Sequence, residues 1–146
     1  MAMTTRRRIF ITDDDMARLK DLVRRGRLAA RRDQAHLEEL EPELDRAEVV
    51  AAEDVSPDVV TMHSTVRVRD LDSGRSMVYT LVFPGEADIE RQRISVLAPI
   101  GTALIGYGVG DRLEWATPGG TRRLRIEDVL FQPEAAEGGR LVEARR

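Results

Sequence analysis

The hydrophobic period of this chain changes once, and that change divides it. Up to about residue 50, apolar residues recur at helical steps: Met16, Leu19, Leu22 and Val23, then Leu37, Leu40, Leu44 and Ala47. From Val60 onward the step is two, with Met62, Ser64, Val66 and Val68 alternating with their neighbours. A repeat of 3.6 lines one face of a helix and a repeat of 2 lines one face of a strand. A chain with both, in that order, predicts an α+β protein with helices first and a sheet second.

In the first half, Ile9–Ile11 predict a short strand or extended arm behind Arg6–Arg8. Thr12 and Asp13 are good helix N-caps, and Asp13–Asp15 suit the positive end of a helix dipole. Gly26 ends or weakens this helix, and Asp33 offers a second N-cap. Leu37, Leu40, Leu44 and Ala47 follow at steps of three, four and three, the spacing of a coiled coil. Pro42 either kinks the second helix or occupies an early helical position after a late start. Two antiparallel helices joined near residues 26–33 are expected.

The stretch AAEDVSPDVV, with Pro57 and its acids, reads as a linker. Strands are then expected from Val60, over 75–83, over 94–97, from Asp111 to Thr117 and over 121–131. Turns at 70–74 and 118–120 join neighbouring strands. Pro99–Ile105 predicts a short helix, with Pro99 in its first turn. The remainder, from Gln132, reads as a loose tail. The expected domains are a short helical hairpin over 1–53, a sheet domain over 54–133 and a flexible tail over 134–146.

Composition removes several kinds of chemistry. There is no cysteine, which excludes disulfides, thiolate metal sites and a cysteine nucleophile. His36 and His63 are the two histidines, too few for an ordinary zinc site. A net charge of −3 gives no global attraction to nucleic acid or anionic lipid. No apolar run approaches the ~20 residues of a membrane span, and none near the N-terminus resembles a signal peptide. A cytoplasmic location without membrane contact is expected, and no cofactor or metal.

The glycine-rich run GYGVGD imitates a nucleotide loop. A dinucleotide fingerprint requires strand, glycines, then helix. Here the order is strand, helix, glycines, so the glycines read as the stop of a helix. Ser64, beside His63, would point to the opposite face of a strand, which argues against a Ser–His pair. Glu38, Glu39, Glu41 and Glu43 flank the second helix's apolar seam and read as a solvated face. Arg24, Arg25, Arg27, Arg31 and Arg32 crowd the bend between the helices, with Asp33 as the local offset. Like charges so placed repel by a few tenths of a kcal/mol per close pair, about the i,i+4 scale. Such a tip is either an ordinary charged loop or a grip for phosphates or acidic protein groups.

Several stretches, in order, carry a family resemblance: ELDRAEVVAAEDVSPDVVTMHSTVRVRDLDSG, YTLVFPGEAD, ISVLAPIGTALIGYGVGD and WATPGGTRRLRIEDVLFQPEAA. Together they resemble the nucleoside diphosphate kinase regulator family, related to the Gre-type transcript cleavage factors. The match runs from about residue 8 to 137. It implies an N-terminal helical hairpin and a C-terminal domain folded like FKBP-type prolyl isomerases. It also implies binding to bacterial RNA polymerase at the rim of its secondary channel. In the Gre-type relatives a long hairpin carries acidic tip residues that help hold a catalytic magnesium.

Two departures follow. The hairpin here is short, with helices of about 14–16 residues spanning roughly 21–24 Å. Its tip is basic, whereas magnesium needs carboxylate oxygens. Transcript cleavage should therefore not be stimulated. The Ser-Pro of the Gre docking loop stands here as Ala98-Pro99. By resemblance, Leu97, Ala98, Pro99 and Ile100 are the polymerase-docking residues; the alternative is that Ile100 and Leu104 simply pack the core, which is the main reading for Leu104, while Pro99 is balanced between the two.

The expected function is a non-enzymatic transcription regulator on RNA polymerase. Two other readings stand beside it: an interaction protein acting on nucleoside diphosphate kinase, and an FKBP-like prolyl isomerase. The isomerase needs an aromatic-lined pocket, and one Trp, two Tyr and three Phe supply few rings. Nucleic-acid contact through the arginine tip stays open.

Overall fold

A computed structural model describes residues 9–26 and 34–137. The chain runs β1 (Phe10–Thr12), α1 (Asp13–Gly26), α2 (Gln34–Arg46), β2 (Glu48–Val50), β3 (Thr65–Asp70), β4 (Ser76–Val82), β5 (Arg93–Ser95), α3 (Pro99–Leu104), β6 (Arg112–Thr117), β7 (Gly120–Phe131) and α4 (Pro133–Glu137). Helices precede the main sheet, and the mixed α+β class is as the periodicity requires.

Helix α1 starts where its cap allows. The Asp15 N–H donates to Thr12 Oγ1 at 3.2 Å, satisfying one orphan donor of the first turn. Leu19 and Val23 are buried along one stripe, with Met16 and Leu22 half-buried beside them. Helix α2 buries Leu37, Leu40 and Leu44. It keeps Pro42 within its span rather than beginning there. The helices run antiparallel: Lys20 of α1 meets Asp45 of α2 at 3.6 Å, and Gly26 lies against Leu37. At 14 and 13 residues they are about 20 Å long.

The main sheet has the order β5-β4-β3-β7-β6. Its inner face carries Val66, Val68, Leu81, Ile94, Leu113, Trp115, Leu124, Ile126 and Val129, all buried. These residues join Leu19, Val23, Leu37, Leu40 and Leu44 in one continuous core. The base of the hairpin is thus built into the sheet domain.

Four expectations are corrected. First, the sheet is mostly rather than wholly antiparallel, because β5 runs parallel to β4. The returning connection is short. Pro84 opens one single-turn 3-10 segment, Asp88 accepts from the Glu90 N–H at 3.1 Å to cap another, and Gln92, at φ 61°, turns the chain into β5. Second, the strand expected from Val60 begins at Thr65. Residues 61–64 form a tight turn with the Ser64 N–H on Thr61 O, and His63 sits at φ 69°.

Third, the stretch over 51–60 is no loose linker: Val55, Val59 and Val60 are buried. Fourth, the chain does not loosen at Gln132. Its side-chain amide donates to Ser56 O and Val59 O, both at 2.8 Å. Ala135 of α4 is fully buried, so the tail reading fails for 132–137.

A small parallel sheet, unforeseen from spacing, pairs β1 with β2. Gly106 makes room for it. At φ 84° it ends α3, and a Cβ there would lie 3.0 Å from Ile9 Cβ. The Phe10 N–H donates to Gly106 O at 3.0 Å, and the Gly106 N–H to Val60 O at 2.9 Å. The glycine run is therefore a helix stop and a seat for the N-terminal strand.

Candidate functional site

The loop singled out by resemblance lies between β5 and α3 and is held from several sides. The Leu97 N–H donates to Ser95 Oγ at 3.0 Å and the Ala98 N–H to Ser95 O at 3.0 Å. Thr102 Oγ1 donates to Val96 O at 2.6 Å, tying the helix back to the strand it left. Gly101 makes this fold possible, since a Cβ there would lie 2.0 Å from the carbonyl oxygen of Ser95.

Pro99 is exposed at the head of α3. Leu97, Ala98 and Ile100 are half-buried, and Leu97 and Ile100 rest on the core. Leu104 is wholly core. The arrangement presents a small, rigid apolar knob with no titratable group in it, suited to packing rather than to proton transfer.

The arm ends differently from its reading in sequence. Of the five tip arginines, Arg24 and Arg25 are described, while Arg27, Arg31 and Arg32 lie outside the described residues. Arg24 and Arg25 both pair with Asp21, Arg25 Nε at 2.9 Å from Asp21 Oδ2. Asp33 is therefore not the one local offset. Asp21 stands three and four residues before them, a spacing that puts all three on one helix face.

Where arm and sheet domain meet, buried polar groups collect. Asp15 Oδ2 accepts the Met62 N–H at 3.0 Å. Glu134 accepts from Thr61 Oγ1 at 2.7 Å, and Thr61 Oγ1 also bonds Ser64 Oγ at 2.8 Å. Asp15, Arg18, His63 and Glu134 border a cleft of about 230 Å³. Burial pushes the Asp15 carboxyl up to about 6; the Met62 N–H pulls it back, and the nearby Glu134 charge pushes it further. His63 Nε2 meets Glu86 Oε1 at 2.8 Å, which holds Glu86 below the usual carboxylate range. Arg18 lies over the Phe83 ring at 4.4 Å.

A second knot joins α2 to the chain after α3. Tyr107, fully buried, accepts from Arg46 Nη2 at 2.7 Å and donates to Glu43 Oε1 at 3.2 Å. Burial raises both the Glu43 carboxyl and the Tyr107 phenol, the latter to about 12. Glu43 therefore leaves the solvated face predicted for it. Asp15 lies four before Leu19, and Glu43 three after Leu40, each on its helix's apolar stripe, but the stripe alone does not tell a buried carboxylate from an exposed one. Among the described residues no cluster of His, Asp and Glu could hold a metal ion.

The comparisons agree with this division of the chain. Residues 55–131 match the family described as transcription elongation factor, GreA/GreB, C-terminal, and residues 7–50 match the Rnk N-terminus. The regulator of nucleoside diphosphate kinase from Escherichia coli K12 is 44% identical over 98 residues, covering 66% of this chain and 72% of that protein. The transcription elongation factor GreA of Rhodospirillum rubrum is 43% identical over 107 residues, covering 70% and 68%. Among solved structures, a prokaryotic transcription elongation factor GreA/GreB from Nitrosomonas europaea is similar. It shows a TM-score of 0.70 at 41% identity, over 86% of this chain and all of that one. An Rnk-type N-terminal hairpin fused through a shared core to a GreA/GreB-type sheet domain places this chain in the nucleoside diphosphate kinase regulator family, within the wider GreA/GreB group.

Proposed function

We propose that this protein is a non-enzymatic transcription regulator. It binds bacterial RNA polymerase near the secondary channel through Leu97, Ala98, Pro99 and Ile100, and does not stimulate transcript cleavage. The observation that carries this reading is the rigid apolar knob at Pro99, displayed on a GreA/GreB-type domain beside an arm of about 20 Å. An arm this short, whose bend over 24–33 carries five arginines and Asp33 as its one acid in the sequence, would supply no carboxylate pair for magnesium. Such a protein would act in the cytoplasm and compete with longer-armed factors for the same rim. The FKBP-like description of the sheet domain and the coiled-coil description of the arm belong to the same proposal.

Pull-down with purified polymerase tests it, using the wild type, Pro99→Asp and Ile100→Asp. The wild type should be retained and displaced by a GreA-type factor. Pro99→Asp should weaken retention at least tenfold, because a charge would be desolvated at the contact. Absence of wild-type binding ends the proposal.

A second reading rests on the relative from Escherichia coli, which is named a regulator of nucleoside diphosphate kinase. Direct action would change the kinase's turnover when the two purified proteins are mixed. A transcriptional route would leave turnover unchanged and alter only kinase abundance in cells.

A further inference from the structure

The outer face of the main sheet, opposite the one covered by α3, carries an arrangement that folding disfavours. In register, Arg69 of β3 stands opposite Arg125 of β7, and Arg125 stands opposite Arg112 of β6. Three guanidiniums thus lie abreast across three neighbouring strands. Like charges directly opposite one another weaken a sheet.

The rows on either side are compensated. Arg67 stands opposite Asp128, and Arg123 opposite Glu114. Among the described residues, Arg69 alone of the row is partnered, by Glu127 at 2.6 Å and by Gly74 O at 2.7 Å. That carboxylate is brought in by the irregular register between Arg67 and Val68. No ion pair to Arg112 or Arg125 occurs among the described residues, and both side chains are exposed.

We infer that the row Arg69–Arg125–Arg112 is a docking site for an acidic helix of a protein partner. Strands lie about 4.8 Å apart, so the three positions present cations at that step along a line crossing the strands. Glutamates one helical turn apart have Cβ atoms about 5–6 Å apart and meet such a line in register. Arg112 and Arg125 each offer a planar fork to a carboxylate, while Arg69, held by Glu127 and Gly74 O, adds charge and its remaining N–H groups. A nucleic acid fits less well. Its phosphates would continue past the row onto Glu114, Glu127 and Asp128, and the chain as a whole is at −3. The inference does not depend on the loop at Pro99, which lies on a different part of the domain.

The test uses the full chain and a fluorescein-labelled, alanine-rich helical peptide of about 20 residues with glutamate at every fourth position. A control peptide has the same composition with irregular glutamate spacing. The wild type should bind the regular peptide, with amide shifts on β3, β7 and β6. Arg112→Thr/Arg125→Thr should bind at least tenfold more weakly while melting at the same or a higher temperature, since it relieves repulsion. Equal binding by the variant, equal binding of the control peptide, or a lowered melting temperature would each overturn the assignment. So would a single-stranded oligonucleotide that binds this face more tightly than the peptide, or no peptide binding at all.

Discussion

The carboxylate of Asp15, on the first turn of α1, accepts the backbone N–H of Met62 at 3.0 Å across a sequence separation of 47 residues. This bond joins the arm to the sheet domain at a buried point, with Asp15 only 5% exposed. A buried acid that serves a structural bond makes the joint sensitive to its own ionisation.

The first prediction concerns pH. The Asp15 carboxyl is raised from an ordinary 3.8 to about 6 in the folded state, chiefly by burial. Below 3.8 both folded and unfolded chains hold the proton, and the contribution to stability is fully present. It falls as pH rises between those values and is lost above about 6. A difference of this size corresponds to on the order of 3 kcal/mol. Asp15→Asn should be more stable than wild type by that amount at pH 8 and converge with it near pH 4. Urea unfolding across this range measures the gap, and parallel curves for the two proteins would contradict the assignment.

Removing one hydroxyl should loosen the second joint. Tyr107→Phe deletes the group that receives Arg46 and serves Glu43. It leaves Glu43 buried with one donor fewer, at a cost of about 1–3 kcal/mol. The double variant Tyr107→Phe/Glu43→Gln should lose less than the sum of the single changes, because the two residues share one network. Additive losses in denaturant unfolding would show that the bond contributes nothing to the joint.

Gly101 sets the shape of the docking loop. An alanine methyl at that position would lie 2.0 Å from Ser95 O, a backbone atom that cannot rotate away. Gly101→Ala should destabilise by about 3 kcal/mol, the upper part of the range for overpacking, and should displace Pro99. A melting temperature equal to wild type would show that the close approach is relieved at little cost.

The last prediction concerns activity. Added to stalled, backtracked transcription complexes, the protein should leave RNA cleavage at the polymerase's intrinsic rate. It should slow cleavage driven by a GreA-type factor, through competition. Acceleration by the protein alone would mean that carboxylates reach the active centre after all.

Much of the architecture is legible in residue spacing, for a physical reason. The stripe Leu19–Val23, the seam Leu37–Leu40–Leu44 and the alternation through Val66 and Val68 each record burial of one repeated face. Pro99 and Gly106 bracket α3 because each has few alternative uses. What spacing misses depends on contacts distant along the chain. The pairing of β1 with β2 rests on three residues each, too few to show a period. The parallel placement of β5 is set by local turns around Asp88 and Gln92 rather than by any apolar pattern.

Asp15 and Glu43 illustrate the same limit within the site. A carboxylate on an apolar stripe reads as surface until its remote partner is known, Met62 in one case and Tyr107 in the other. The arginine row is the reverse case. Each of Arg69, Arg112 and Arg125 is unremarkable in sequence, and only strand register brings them abreast.

The seating of Phe10 on Gly106 limits how this protein can be rearranged. Residues from the start of the described chain are stitched to the turn beyond α3, so the arm is no detachable handle. Cutting at the boundary between the two family segments would strip Ile9 and Ile11 of their cover. A graft of another arm would succeed only if it carried its own matching strand. Any change in the length of this probe that keeps the fold must therefore be made at its far end, with its root left alone.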